Sequence, residues 1–198
     1  MREVFTFDQG TPEWFAVRAG IPTASMYATV MAKGRGNAES KTRRTYLLKL
    51  AGERLTGEPM ESYSNHHMER GTLMEPEARA AYAFMQDVEP QLVGFIRFGD
   101  TGASPDSMVG DAGLLEIKTK LPHLQLDVLD RDEVPPEHMP QIQGQLWVAD
   151  REWCDFVSYW PKLPIFVRRV YRDEKAIKEI AAAVAAFNDE LHELVARF

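Results

Sequence analysis

Asp106 and, ten residues further on, the triplet Glu116-Ile117-Lys118 are the residues of this 198-residue chain whose types and spacing best support chemistry. Both lie in segments that read as strands. Along a strand alternate side chains share a face, so Glu116 and Lys118 project together while Leu115 and Ile117 project to the other side. The apolar pair is expected to anchor the strand inward and the polar pair to place a carboxylate beside an ammonium on the outward face. A turn at Gly110-Asp111-Ala112-Gly113 folds the preceding strand back and can bring Asp106 opposite them. Two carboxylates with the backbone carbonyl of Ile117 between them make an oxygen-rich site suited to a hard cation such as Mg²⁺. A lysine beside that site can orient or deprotonate an attacking water, which is what cation-assisted hydrolysis of a phosphodiester requires. Alone the pattern is weak, because Glu-x-Lys is usually a same-face surface pair.

The elements that must position these residues follow from periodicity and punctuation. Thr11-Pro12-Glu13 opens a helix that Gly20 stops. Further helices are predicted over 23–33, closed by Gly34, and over 40–55, closed by Gly57. A longer one covers 68–85, with Leu73, Glu77, Ala80, Ala81 and Phe84 at helical spacing. Strands are predicted over 91–98, 102–109, 113–119, 153–160 and 165–171, the first three as a meander. A helix over 136–148 interrupts the strands. A last one over 173–197 carries a core-facing stripe of Ile177, Ile180, Ala181, Val184, Phe187, Leu191 and Leu194. With no linker or repeat to divide it, the chain reads as one α/β or α+β domain with a central sheet.

Composition excludes several classes. The chain is 44% hydrophobic and 27% charged, as in ordinary globular proteins, which argues against disorder. The single cysteine, Cys154, allows neither an intrachain disulfide nor a cysteine-built zinc cluster, and reads as a buried, inert thiol. The first residues lack a signal-peptide stretch and the apolar run 180–187 is too short to span a bilayer, so a soluble, cytoplasmic protein without a membrane partner is expected. The net charge of −7 argues against a phosphate polymer as partner, but its distribution is uneven. Residues 1–60 carry nine basic and six acidic side chains, the remainder 14 and 24. Lys33, Arg35, Lys41, Arg43, Arg44, Lys49 and Arg54 face only Glu39 and Glu53 in their segment. On charge alone that segment is a solvated helix face.

Four ordered blocks carry a resemblance. They are Trp14-Phe-Ala-Val-Arg18-Ala-Gly20-Ile-Pro-Thr23-Ala-Ser25, then Glu69-Arg-Gly71-Thr-Leu-Met-Glu75-Pro-Glu-Ala78-Arg79-Ala-Ala-Tyr82. Next come Ala103-Ser104-Pro105-Asp106 with Leu115-Glu116-Ile117-Lys118, and last His138-Met-Pro-Gln141-Ile-Gln143-Gly-Gln145-Leu-Trp147-Val. Over most of its length, from about Thr11 to Trp160, the chain resembles the bacteriophage lambda-type exonucleases, the YqaJ-like viral recombinase nucleases of the PD-(D/E)xK superfamily. The resemblance implies a PD-(D/E)xK restriction-endonuclease-like core, a central mixed β-sheet flanked by helices, with 1–198 as a single nuclease domain. It implies that Asp106, Glu116 and the Ile117 carbonyl hold the metal, that Lys118 is the catalytic lysine, and that Glu75 assists the site through water. Arg18, Ser25, Ser104 and Gln141 match positions that bind a 5′-terminal phosphate, and Arg35 a place where the family contacts the DNA strand. That gives the basic segment a purpose that charge alone does not.

The implied activity is Mg²⁺-dependent 5′→3′ digestion of one strand of linear double-stranded DNA from a 5′-phosphorylated end. Two metal ions are expected, with Mn²⁺ as a substitute. The remaining 3′ single-stranded tail would serve homologous recombination by strand annealing. A homotrimeric ring and a single-strand annealing protein are the implied assembly and partner. Two alternatives stay open: a restriction- or repair-type endonuclease on the same core, and an inactive DNA-end-binding module. The chain departs from the pattern at Ser107, where many relatives carry glycine, and at His138, where tyrosine is usual. His138 is read as a phosphate contact or a structural histidine, His66 and His67 as loop or cap residues. Trp14, Trp147, Trp153 and Trp160 are read as core.

Overall fold

The computed structural model describes residues 1–34, 40–60 and 66–198, with the side chains of 66–69 outside that description. Arg35, and the side chains of His66 and His67, therefore lie outside the described residues. Among the described residues seven strands form two sheets. Strands β1 (Arg2–Phe5), β2 (Phe95–Phe98) and β3 (Thr101–Ala103) pair antiparallel in that order. Strands β4 (Ser107–Val109), β5 (Gly113–Thr119), β6 (Trp153–Tyr159) and β7 (Phe166–Tyr171) make a mixed sheet in which only β5 and β6 run parallel.

The segment 102–109, expected as one strand, is two, and they belong to different sheets. Pro105 has no N–H to give a ladder, so Ser104-Pro105-Asp106 leaves the first sheet and enters the second. The N-terminal strand β1 was not foreseen. Its residues are only partly buried and their alternation is short.

Helix α1 (Pro12–Arg18) starts as expected, with the Thr11 hydroxyl accepting from the Trp14 N–H. The helix expected over 23–33 is shorter and broken, a 3₁₀ turn at Ala24–Met26 leading into α2 (Tyr27–Val30). Helix α3 (Lys41–Thr56) is capped by Ser40 and ends on the left-handed Gly57. Helix α4 (His66–Gln86) forms where expected, but Leu73 and Phe84 are exposed, and Ala78 and Tyr82 are the buried positions. Polar bonds fix that rotation: Tyr82 Oη donates to Asp155 at 2.7 Å, and Tyr159 Oη to Glu77 at 2.6 Å.

A parallel pair needs a crossover. Here it consists of α5 (Pro122–Arg131), which the sequence did not disclose, and α6 (Met139–Ala149). Both pack on one face of β5, where Leu114, Val128, Ile142, Leu146 and Phe156 make a core. On the other face Leu115 and Ile117 pack with Ala78 and Tyr82 of α4. The outward face expected for Glu116 is therefore covered, and Glu116 is 1% exposed. A strand with a parallel neighbour takes its crossover helix on one side and a second layer on the other.

Helix α7 (Glu174–Val195) buries the expected stripe against α3 and α6, with Asp173 accepting from the Lys175 and Ala176 N–H groups. Gly144 lets α6 approach Tyr27: a β-carbon there would lie 2.3 Å from the buried ring. Among the described residues no helix is long and apolar enough to cross a membrane.

Candidate active site

The site forms where β5 outruns its short neighbour. The first β4 residue, Ser107, lies opposite Leu115, and Asp106 precedes it. The Asp106 N–H donates to the Leu115 carbonyl at 3.1 Å, and Asp106 Oδ2 accepts from the Ile117 N–H at 2.5 Å. A strand residue directs its N–H and C=O to the same edge, so the Ile117 carbonyl is turned toward Asp106, past the end of β4.

Glu116 is held by three donors. Lys118 Nζ lies 2.6 Å from Oε1, Gln141 Nε2 donates to Oε1 at 2.7 Å and Gln145 Nε2 to Oε2 at 2.6 Å. The glutamines lie one turn apart on α6 and so face β5 together. From the opposite layer α4 brings Glu75, which Arg79 holds one turn further along the helix. Arg79 also donates to Ser107 Oγ at 3.0 Å and to the Asp106 carbonyl at 3.3 Å, tying α4 to the Asp106 segment.

The electrostatics follow from crowding. Burial, then Glu116 and Glu75, push the Asp106 carboxyl well above the usual carboxylate range. Burial raises Glu75 too, against the pull of Arg79. Burial opposes a charged Lys118, but Glu116 and Asp106 outweigh it and the ammonium is stabilised. Asp106, Glu116, Glu75 and Lys118 are thus electrostatic neighbours. Among the described residues, however, no three acidic, histidine or cysteine side chains form a preformed metal cluster. Here Arg79 engages Glu75, while Lys118 and two amides engage Glu116.

The four residues matched to a terminal phosphate are not gathered as one set. Arg18 Nη1 donates to Ser104 Oγ at 2.8 Å, and the Arg18 guanidinium lies over the Trp14 ring at 3.9 Å. Trp14 is half-buried and brackets Arg18, with its indole N–H reaching Ser104 Oγ and the Gly94 carbonyl, instead of filling the core. Burial lowers the Arg18 pKa to about 10, which leaves it charged at neutral pH. Gln141 is committed to Glu116, and Ser25 is exposed with its Oγ 3.4 Å from Thr23 Oγ1. A cleft of about 740 Å³ opens beside Trp14 and Asp106, with Phe15, Leu73, Glu75 and Arg79 also in its lining.

Part of the basic segment serves the fold. Arg43 binds Glu190 through two bonds of 2.7 Å, and Arg54 Nε donates to the Gly20 carbonyl at 2.6 Å. Cys154 is fully buried, and burial pushes its thiol well up. Arg79 and Gln145 carry roles that the sequence reading did not give them. The available signal was spacing, since each stands four residues after a site residue on the same helix.

A mixed sheet layered by helices, with Asp106, Glu116 and Lys118 at its rim, is the PD-(D/E)xK nuclease fold. The chain belongs to the YqaJ-like viral recombinase family, whose domain matches residues 13–152. The alkaline exonuclease LHK-Exo of Laribacter hongkongensis, solved also in complex with dAMP, is 39% identical to it. The likeness covers 94% of this chain and 95% of that one at a TM-score of 0.86. A phage-related exonuclease of Haemophilus somnus 129PT shares the fold at a TM-score of 0.67, with 14% identity over 89% of this chain and 96% of that one. No curated protein matches the chain.

Proposed function

We propose that residues 1–198 are a single nuclease domain that digests one strand of linear double-stranded DNA 5′→3′ from a 5′-phosphorylated end. Family membership and the likeness to an alkaline exonuclease support the coarser reading, a DNA exonuclease. The observation that carries the finer one is the adjacency of two halves. Arg18 on Ser104 offers a guanidinium for a terminal phosphate, and two residues on, Asp106 binds the Ile117 N–H between Glu116 and Lys118, which pair with each other.

The donor set is all oxygen and crowded with carboxylates that raise one another's proton affinity, which fits a hard divalent cation. Asp106, Glu116 and the Ile117 carbonyl would hold it, with Glu75 acting through water; Mg²⁺ is the expected metal, Mn²⁺ the substitute, and two ions the expected number. Such a cation, when bound, supplies charge neutralisation at the phosphoryl oxygens and a lowered water pKa. Lys118 places an ammonium against the phosphate and the attacking water. Gln141 and Gln145 keep Glu116 in one rotamer, and Arg79 keeps Glu75 and the Asp106 backbone in register. A homotrimeric ring around the duplex and a single-strand annealing partner in recombination complete the reading.

The test compares an end-labelled linear duplex with a closed circle, with Mg²⁺ and with EDTA. Progressive shortening of the linear strand from its 5′ end, an intact circle and no digestion under chelation are expected. Cutting of the circle would make the protein an endonuclease, and inertness with both Mg²⁺ and Mn²⁺ would leave a DNA-end-binding module. In the same assay Arg18→Ala should erase most of the preference for a 5′-phosphate over a 5′-hydroxyl. Equal losses on both ends would assign Arg18 to folding or to general DNA affinity.

A further inference from the structure

We propose that Lys120, steadied by His138, grips the DNA phosphate adjoining the one that is cut, a contact that the Asp106, Glu116 and Lys118 centre does not supply. The inference rests on the nuclease reading above.

Lys120, the first residue after β5, continues the alternation of Glu116 and Lys118 and so belongs to the same face. Its backbone is fixed there, because the Lys120 N–H donates to the Tyr159 carbonyl at 3.1 Å and prolongs the β5–β6 ladder. The side chain is only 15% exposed, and Nζ lies 3.1 Å from His138 Nε2. His138 is stacked on Phe156, with ring centroids 5.2 Å apart, and immediately precedes α6, the helix whose glutamines hold Glu116. Burial, followed by Lys120 and Lys118, lowers the His138 pKa to about 4, so the imidazole is neutral and accepts from the ammonium.

An ammonium has three hydrogens, and His138 orients one of them. Among the described residues the carboxylate that reaches it, Glu137, is 65% exposed and 4.0 Å away, at the outer limit of an ion pair. Lys118 is different, because it lies against Glu116 at 2.6 Å. Holding a second ammonium largely out of water beside the first costs both desolvation and like-charge repulsion, and both disfavour the charged Lys120. A phosphate placed against Lys120 relieves the repulsion. It also counters the acid-rich centre, which by itself repels a polyanion. Arg18 and Ser104 serve the terminal phosphate, so Lys120, beyond Lys118 along the strand, suits an internucleotide one.

The experiment uses Lys120→Met, which keeps the stem and removes the charge, with Lys120→Arg as the conservative variant. Binding of linear duplex is measured against salt in a Lys118→Ala background, where the DNA survives. The slope of log K against log salt should fall by about one phosphate's worth for Lys120→Met and be restored by Lys120→Arg. With Lys118 intact, KM for duplex should rise about tenfold while kcat changes far less, as for a lost charge-assisted contact. The loss on duplex should exceed that on thymidine 5′-p-nitrophenyl phosphate, a single phosphodiester with no neighbouring phosphate. An unchanged slope, or equal losses on the two substrates, overturns the proposal. If the wild-type protein cuts neither substrate but the slope still falls, the nuclease reading fails and the phosphate contact stands. Should Lys120→Met lose its native circular dichroism, Lys120→Gln supplies the same comparison.

Discussion

Lys118→Ala should bind linear duplex DNA nearly as tightly as the wild type and digest it about 10²–10³-fold more slowly, the usual cost of losing one charge-stabilising donor at a reacting centre. The ammonium sits 2.6 Å from Glu116 and within electrostatic reach of Asp106 and Glu75. Removing it leaves Glu116 with its two glutamine donors, so the carboxylate keeps its place and the fold loses little. What disappears is the positive charge that the proposed mechanism sets beside the phosphate. Single-turnover digestion compared with gel-shift affinity separates the two effects. Wild-type rates in the variant would remove Lys118 from the chemistry, and a parallel loss of binding and cutting would make its role structural.

Asp155→Ala should lower the unfolding free energy by about 3 kcal/mol, the lower end of what breaking a buried ion pair costs, because Arg169 is partly solvated. Asp155 is 2% exposed and accepts from Tyr82 Oη at 2.7 Å and from Arg169 Nε and Nη2 at 2.8 and 2.9 Å. The Arg169 guanidinium in turn covers the Trp153 ring at 3.5 Å. Truncation strands the buried Tyr82 hydroxyl and releases α4, the helix that carries Glu75 and Arg79. Asp155→Asn keeps an acceptor for one of these donors and should lose less. Urea titration measures both variants. A change below about 0.5 kcal/mol for the alanine variant, the ordinary effect of a surface substitution, would mean that α4 is held by its apolar contacts alone.

Elements with strong local signals were legible in the sequence. Strand β5 runs Gly113–Thr119 as read, because a glycine bounds a run of Leu and Ile. Helices α3 and α7 begin at their capping Ser40 and Asp173. Features decided by partners distant in the chain were not. Strand β1 exists because Phe95–Phe98, some ninety residues away, offers it an edge. Helix α5 shows a modest pattern, with Leu124 and Leu126 exposed and Gln125 buried to bond the Ser158 and Pro164 carbonyls. The identities of Asp106, Glu116 and Lys118 could be read from type and spacing, but the burial of Glu116 could not, because only the crossover helices decide which face of β5 is covered. Arg79, Gln145 and Lys120 offered no more than their spacing for the same reason: their partners come together only when α4 and α6 close on opposite sides of one strand.

The passage of the chain from one sheet to the other at Ser104-Pro105-Asp106 has a consequence for step length. If the serine belongs to the grip on a DNA end and the aspartate to the cut, the distance between gripping and cutting is fixed by a rigid pyrrolidine ring and two peptide planes. Two residues span at most roughly 7 Å, a stride on the scale of a single nucleotide. Product size would then be written in covalent geometry, and no hinge or mobile arm would be needed to keep the cadence.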